Sequence, residues 1–391
     1  MDSERDTMKQ LVRVGAFLLL LLYSQPAFGR DWQKHPAIVS LGKVRRVVAT
    51  GDVHGALPQL LATLSKVNLI AADKSRPGEY RWTGGKTVWV SLGDYVDRGD
   101  YSLEVLHFIM NMQGQAEAVG GKVITLMGNH EVMLLNGDVA RRARYEERQR
   151  KKYRPYGKTV KSFEKLGIPF RRIVSKENKI GRFLRNLPIM AVINGRFGFV
   201  HAGFGQVTSL VNLRSSFQQC ANDDNWNCSF LAPRTEEEAQ ASPIWARNWW
   251  EDKKHVDQLL QNLGLNELIF AHTPNGLIPR SLLERRRRVR QFIKSGRQKF
   301  KKRRMALYER RLAILNKEVK ELSSTIQTTG RLFNLDIGMC PWYKMSNGGC
   351  LEIISHKGSA VFRAVYPDRP TALLKSDPFE AKVIEGVEET L

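Results

Sequence analysis

Short apolar runs alternate with longer stretches of helical spacing along this chain. Residues 44–49 form a β-branched run that closes on Gly51, and a helical stretch over 57–67 follows. A second run, 87–92, closes on Gly93 and precedes a helical pattern over 102–112. A third, 123–127, closes on Gly128. This alternation predicts βαβ units and a largely parallel sheet, because strands covered on both faces read as unbroken apolar runs. The fold class is α/β. In such sheets ligands gather outside the carboxyl ends of the strands.

The later pattern is more mixed. Residues 139–179 are helical, polar and basic. Residues 189–194 and 197–200 predict two strands joined by the turn Asn194-Gly195-Arg196. Residues 220–233 read as a polar loop and 268–270 as a short strand. Residues 331–336, 350–355 and 359–365 are late strands expected to pair as an antiparallel meander. After Pro367 the chain is polar and expected to be loosely ordered. Between 280 and 320 apolar residues recur at helical spacing, from Leu282, Leu283 and Val289 to Leu312 and Leu315. Gly296 interrupts them, which predicts two helices or one kinked helix.

Charge changes the picture in that last segment. The 391 residues hold 62 Lys and Arg against 39 Asp and Glu, a net charge of +23. Residues 280–320 alone carry 17 Lys or Arg against 3 Glu, more than half of the excess. A field of that sign attracts polyanions, so this basic helical insert is a candidate surface for an acidic partner or an anionic membrane. Aromatic residues are too sparse in it to stack bases, which argues against nucleic acid.

The amino terminus reads as a targeting segment. Lys9 and Arg13 precede an apolar run over 14–23, and the small-residue site Ala27-Phe28-Gly29 follows. This pattern predicts a cleaved secretory signal over 1–29 and a location in the secretory pathway, in the ER lumen or outside the cell. A retained signal anchor and another organelle are the alternatives. The acidic Asp2, Glu4 and Asp6 fit poorly, and a start at Met8 would remove them. The catalytic unit is expected over 30–375, with a polar tail over 376–391. Cys220 with Cys228, and Cys340 with Cys350, form two local pairs. Disulfides are expected in that compartment, with the connectivity open. Neither pair has the short spacing of a zinc site. Asn227-Cys228-Ser229 is a glycosylation sequon.

The candidate chemistry sits just after the strand runs. Gly51-Asp52-Val53-His54-Gly55 offers a carboxylate and an imidazole two positions apart. The stretch from Gly93 to Gly99 adds Asp94, Asp97 and Arg98, and Gly128-Asn129-His130-Glu131 adds an amide oxygen and a second imidazole. Any one of these is common by chance, but three that each follow a strand and a glycine are not. Mixed oxygen and nitrogen donors suit Mn, Fe or Zn rather than Ca.

These three motifs, with Val200-His201-Ala202-Gly203, resemble the calcineurin-like metallophosphoesterases. The Asp97-Arg98-Gly99 form narrows the resemblance to the PPP-type phosphoprotein phosphatases and their bacterial relatives. Pro243-Ile244-Trp245-Ala246-Arg247 and Ala271-His272-Thr273 look like the Shewanella-like branch, where Gly usually stands in place of Ala271. The resemblance covers residues 44–365. It implies a central β-sandwich of mixed sheets flanked by helices, the metallophosphoesterase fold. It implies two divalent or trivalent metal ions, Mn, Fe or Zn, held by Asp52, His54, Asp94, Asn129, His201 and His272, with Asp94 bridging. It implies in-line attack by a hydroxide bridging the metals, with His130 as general acid oriented by Asp97. Arg98, Arg247 and Asn129 would hold the phosphate, and Glu131 is expected to be structural. The activity expected is hydrolysis of phosphate monoesters on phosphoproteins or small phosphoesters. A dinucleoside polyphosphate hydrolase is the alternative within enzymes, and a silent polyanion-binding protein the alternative of another class.

Overall fold

The computed structural model describes residues 30–296 and 302–374. The signal expected over 1–29 and the tail expected over 376–391 lie outside them. Among the described residues no helix is long and apolar enough to cross a membrane.

The described residues form fourteen strands: β1 Ile38–Leu41, β2 Arg46–Thr50, β3 Ile70–Ala72, β4 Tyr80–Trp82, β5 Val88–Ser91, β6 Lys122–Thr125, β7 Met190–Ile193, β8 Phe197–Val200, β9 Glu267–Phe270, β10 Gln327–Thr329, β11 Leu332–Asn334, β12 Cys350–His356, β13 Ser359–Val365 and β14 Ala372–Leu374. Two six-stranded sheets form the centre, in the orders β1-β7-β8-β9-β11-β10 and β14-β13-β12-β2-β5-β6, and β3 pairs with β4 apart from them. Both large sheets are mixed. Strands β2, β5 and β6 run parallel, as do β8, β9 and β11 and the edge pair β1 and β7, while the other neighbouring pairs are antiparallel.

Alternation along each strand builds the sandwich. Val47 and Ala49 of β2 face the inter-sheet core together with Phe197 and Phe199 of β8, while Val48 faces the helices outside. Phe362 of β13 stacks on Phe333 of β11 at 4.7 Å and meets Phe197 edge-on at 5.9 Å, so rings from both sheets interlock. Burying such rings contributes about 2–3 kcal/mol each and fixes the sheets face to face.

Three expectations are corrected. The late strands do not form one meander: β12 and β13 pair, but β11 joins the opposite sheet beside β9. Two inner faces carry the same apolar alternation, so the pattern cannot tell which sheet a strand joins. The segment after Pro367 is not all loose, since β14 pairs with β13. Residues 220–233 are not all loop, because a helix over Leu210–Asn222 runs into them, capped at Ser209.

The basic segment forms two helices, Arg280–Gly296 and Lys302–Ser323. They pack through their own apolar cluster, which includes Leu282, Val289, Ile293, Met305 and Leu315.

Candidate functional site

Strand direction gathers the chemistry. Asp52 and His54 follow β2, residues 94–98 follow β5, Asn129 and His130 follow β6, His201 follows β8 and His272 follows β9. All five strands end on the same edge of the sandwich. The loops then approach so closely that side chains are excluded between them. A Cβ on Gly93, whose φ is +111°, would meet the Gly128 Cα at 2.7 Å, and one on Gly128 would meet Asp94 Oδ1 at 2.4 Å. Glu131 clasps the two loops: its carboxylate accepts the backbone N–H groups of Asp94 and Tyr95 at 2.8 Å and of Gly128 at 3.0 Å. His54, Asp94, Asp97, Arg98 and His272 themselves have left-handed backbones, with φ between 45° and 70°. Non-glycine residues rarely adopt this conformation, and such strain clusters at functional sites.

Asp94 is the hub. It belongs to both buried clusters whose donor atoms lie within 4.8 Å of one another: one with His54 and His130, the other with His201 and His272. Its Oδ2 is 3.4 Å from His54 Nε2 and its Oδ1 is 3.4 Å from His201 Nε2. The other ring nitrogens are committed to backbone: His54 Nδ1–H donates to the Val96 carbonyl at 2.8 Å and His201 Nδ1–H to the Leu92 carbonyl at 2.9 Å. Each Nε2 is therefore an unprotonated lone pair aimed at a carboxylate. Asn129 Oδ1 sits 3.0 Å from His201 Nε2, so it too faces an acceptor.

Acceptors facing acceptors in a dry site need cations between them. Asp52 Oδ2, Asp336 Oδ2 and His272 Nε2 are buried and have no hydrogen-bond partner. Burial, with the neighbouring Asp336 and Asp94 carboxylates, pushes Asp52 well above the usual carboxylate range. Burial likewise holds His54, His201 and His272 below the usual imidazole value, leaving them neutral as ligands require. His54, Asp94, His201 and His272 are thus grouped as donors that could hold metal, with the unpartnered Asp52 Oδ2 and the Asn129 Oδ1 beside them.

The flanking residues divide into two groups. His130 Nδ1 lies 2.5 Å from Asp97 Oδ2, and its Nε2 lies 3.8 Å from Asp94. Thr159 donates to Asp97 Oδ1 at 2.6 Å, and Tyr156 stacks on the His130 ring. Arg98 is part-buried with its guanidinium against His54 Nε2. Arg247 is exposed at the rim, donating to Thr273 Oγ1 at 3.3 Å beside His272.

Sequence reasoning missed three participants. Thr159 and Tyr156 come from the helix Pro155–Glu164, and no motif marks them. Asp336 follows β11 just as the other carboxylates follow their strands, which is the signal that finds it. Its Oδ1 accepts from the Gly338 N–H, while burial pushes its carboxyl up to about 6.

Of the two local cysteine pairs, one is bonded and the other is not. Cys220 and Cys228 form a disulfide. Cys340 and Cys350 are free and buried in the core, where burial pushes both thiols up and leaves them inert.

A sequence model of the family described as calcineurin-like phosphoesterase matches residues 45–276. Shewanella-like protein phosphatase 2 of Arabidopsis thaliana is 41% identical over 96 residues, covering 25% of this chain and 23% of that protein. Serine/threonine-protein phosphatase rdgC of Drosophila melanogaster is 31% identical over 177 residues, covering 45% of this chain and 21% of that protein. The matched stretches thus span under a quarter of these curated relatives. A cold-active protein-tyrosine phosphatase of a psychrophilic Shewanella species shares the fold, with a TM-score of 0.57 at 20% identity, covering 87% of this chain and 82% of that one.

Proposed function

The chain belongs to the calcineurin-like phosphoesterase family, and we propose that it is a hydrolase of phosphate esters that removes phosphate from phosphoproteins, acting on phosphate monoesters in a single in-line displacement. The observation that carries this reading is the buried Thr159–Asp97–His130 chain beside Asp94. A leaving alkoxide or phenoxide needs a proton, and a His backed by a carboxylate can hold one at neutral pH.

Asp52, His54, Asp94, Asn129, His201 and His272 would hold two ions of Mn, Fe or Zn, with Asp94 shared. Such a pair supplies a nucleophile from water and offsets phosphoryl charge. Arg98 and Arg247 then grip phosphoryl oxygens by charge-assisted hydrogen bonds, with Asn129 beside them. His130 Nε2 delivers its proton to the leaving oxygen, and Asp97 holds the ring in register. Glu131 keeps the Asp94 and Asn129 loops at their separation. The Cys220–Cys228 disulfide supports the secretory reading, because such bonds persist in oxidising compartments.

The test is turnover by metal-loaded mature protein of matched phospho-Ser, phospho-Thr and phospho-Tyr peptides and of a dinucleoside tetraphosphate. Peptide turnover that His130→Asn lowers by about a hundredfold or more is expected. Faster turnover of the dinucleotide would move the activity to that class.

A further inference from the structure

Two clefts outside the ligand cluster adjoin, sharing part of their walls. The first, about 360 Å³, opens beside Arg98 and is bounded by Tyr153, Lys158, Trp342 and Lys344. The second, about 660 Å³, is bounded by Lys317, Lys320, Lys344 and Arg369. Gln59, Pro341 and Lys344 line both. The result is one trough leading from Arg98 to the second helix of the basic hairpin.

The trough is left cationic. Its acids are already neutralised: Asp100 by Lys158 at 2.9 Å, Asp368 by Arg369 at 3.3 Å, and Glu321 by Lys317 at 3.8 Å. Lys320 and Lys344 are exposed and form no ion pair among the described residues. Near Arg98 one wall is rigid, because Tyr153 and Trp342 stack in parallel at 3.4 Å and Lys158 covers the Tyr153 ring from 5.8 Å. That stack leaves few free ring faces for bases. A concave trough also suits a chain segment better than a lipid surface, which is flat on this scale.

Resting on the phosphatase reading above, we propose that the trough holds an acidic segment of the substrate chain flanking its phosphorylated residue. The phosphate sits at Arg98, and Asp or Glu side chains of the flank meet Lys344 and then Lys320. The hairpin's positive field gathers such substrates and the trough selects among them.

The experiment is fluorescence anisotropy with the full mature chain and labelled phosphopeptides. One is acidic on its amino-terminal side, one acidic on its carboxy-terminal side, and one neutral. An acidic peptide is expected to bind about fivefold to tenfold more tightly than the neutral one, as two exposed ion pairs allow. The preference is expected to vanish in Lys320→Glu/Lys344→Glu, to shrink in Lys320→Ala/Lys344→Ala, and to fall as salt rises. Equal binding of all three peptides overturns the proposal, as does a variant that weakens acidic and neutral peptides alike. Tighter binding of an oligonucleotide or a phosphatidylserine vesicle than of either acidic peptide, lost in the same variant, also overturns it and reassigns the trough. Turnover of p-nitrophenyl phosphate by the unmodified protein reports the hydrolase reading separately, because that substrate has no flank.

Discussion

The Asp97 carboxylate lies 2.5 Å from Nδ1 of His130, and both side chains are buried. Burial makes this contact strong and directional, since no water competes for either partner. Asp97→Asn keeps the shape and removes the charge that supports a protonated ring. We expect kcat to fall about a hundredfold with KM little changed, and steady-state kinetics on an aryl phosphate with a good leaving group should show a smaller loss. Equal losses on good and poor leaving groups would remove His130 from the role of general acid.

Thr159 acts one step further out. Its hydroxyl fixes Asp97 Oδ1 at 2.6 Å, so Thr159→Val frees the carboxylate to rotate. Loss of a hydrogen bond to a charged group is expected to lower kcat about tenfold to a hundredfold, while Thr159→Ser recovers most of it.

Glu131→Gln tests the clasp between loops. Its carboxylate accepts three backbone N–H groups, and an amide cannot accept all three. The variant is expected to lose about 1–3 kcal/mol of stability, read from the midpoint of urea unfolding.

Metal removal should cost stability as well as activity. Asp52, Asp94 and Asp336 are buried together; burial with the Asp336 and Asp94 carboxylates opposes ionisation of Asp52, and burial with Asp94 opposes that of Asp336. Chelation is expected to lower the thermal midpoint, and Mn at about a hundred times its dissociation constant to restore about 2.7 kcal/mol. Asp336→Asn removes one buried carboxylate, so it is expected to narrow the gap between metal-loaded and metal-free protein. Differential scanning calorimetry with and without chelator measures it, and an unchanged gap would detach Asp336 from the metals.

Reducing the Cys220–Cys228 bond opens a loop with a sequence separation of 8. Cys220→Ser/Cys228→Ser is expected to lose about 2–3 kcal/mol, as loop-closure entropy predicts for so short a loop. Cys340 and Cys350 should resist alkylation in the native state, because both are buried.

What the sequence determined by itself is local. Apolar runs closing on glycine fixed β2, β5 and β6, and with them the positions of Asp52, His54, Asp94 and Asn129 at strand ends. The hairpin over β7 and β8 was likewise legible from Asn194-Gly195-Arg196, because turn geometry and alternation act over a few residues. Tertiary structure decided the rest. It sent β11 into the opposite sheet, which brought Asp336 to the site. It laid the helix Pro155–Glu164 over His130, which gave Asp97 its Thr159. It set the helix Lys302–Ser323 beside Lys344, turning part of a run of positive charge into the end of a trough. These choices depend on which apolar faces meet across the sandwich, and a repeating pattern of buried positions says that a face must be covered without saying by what.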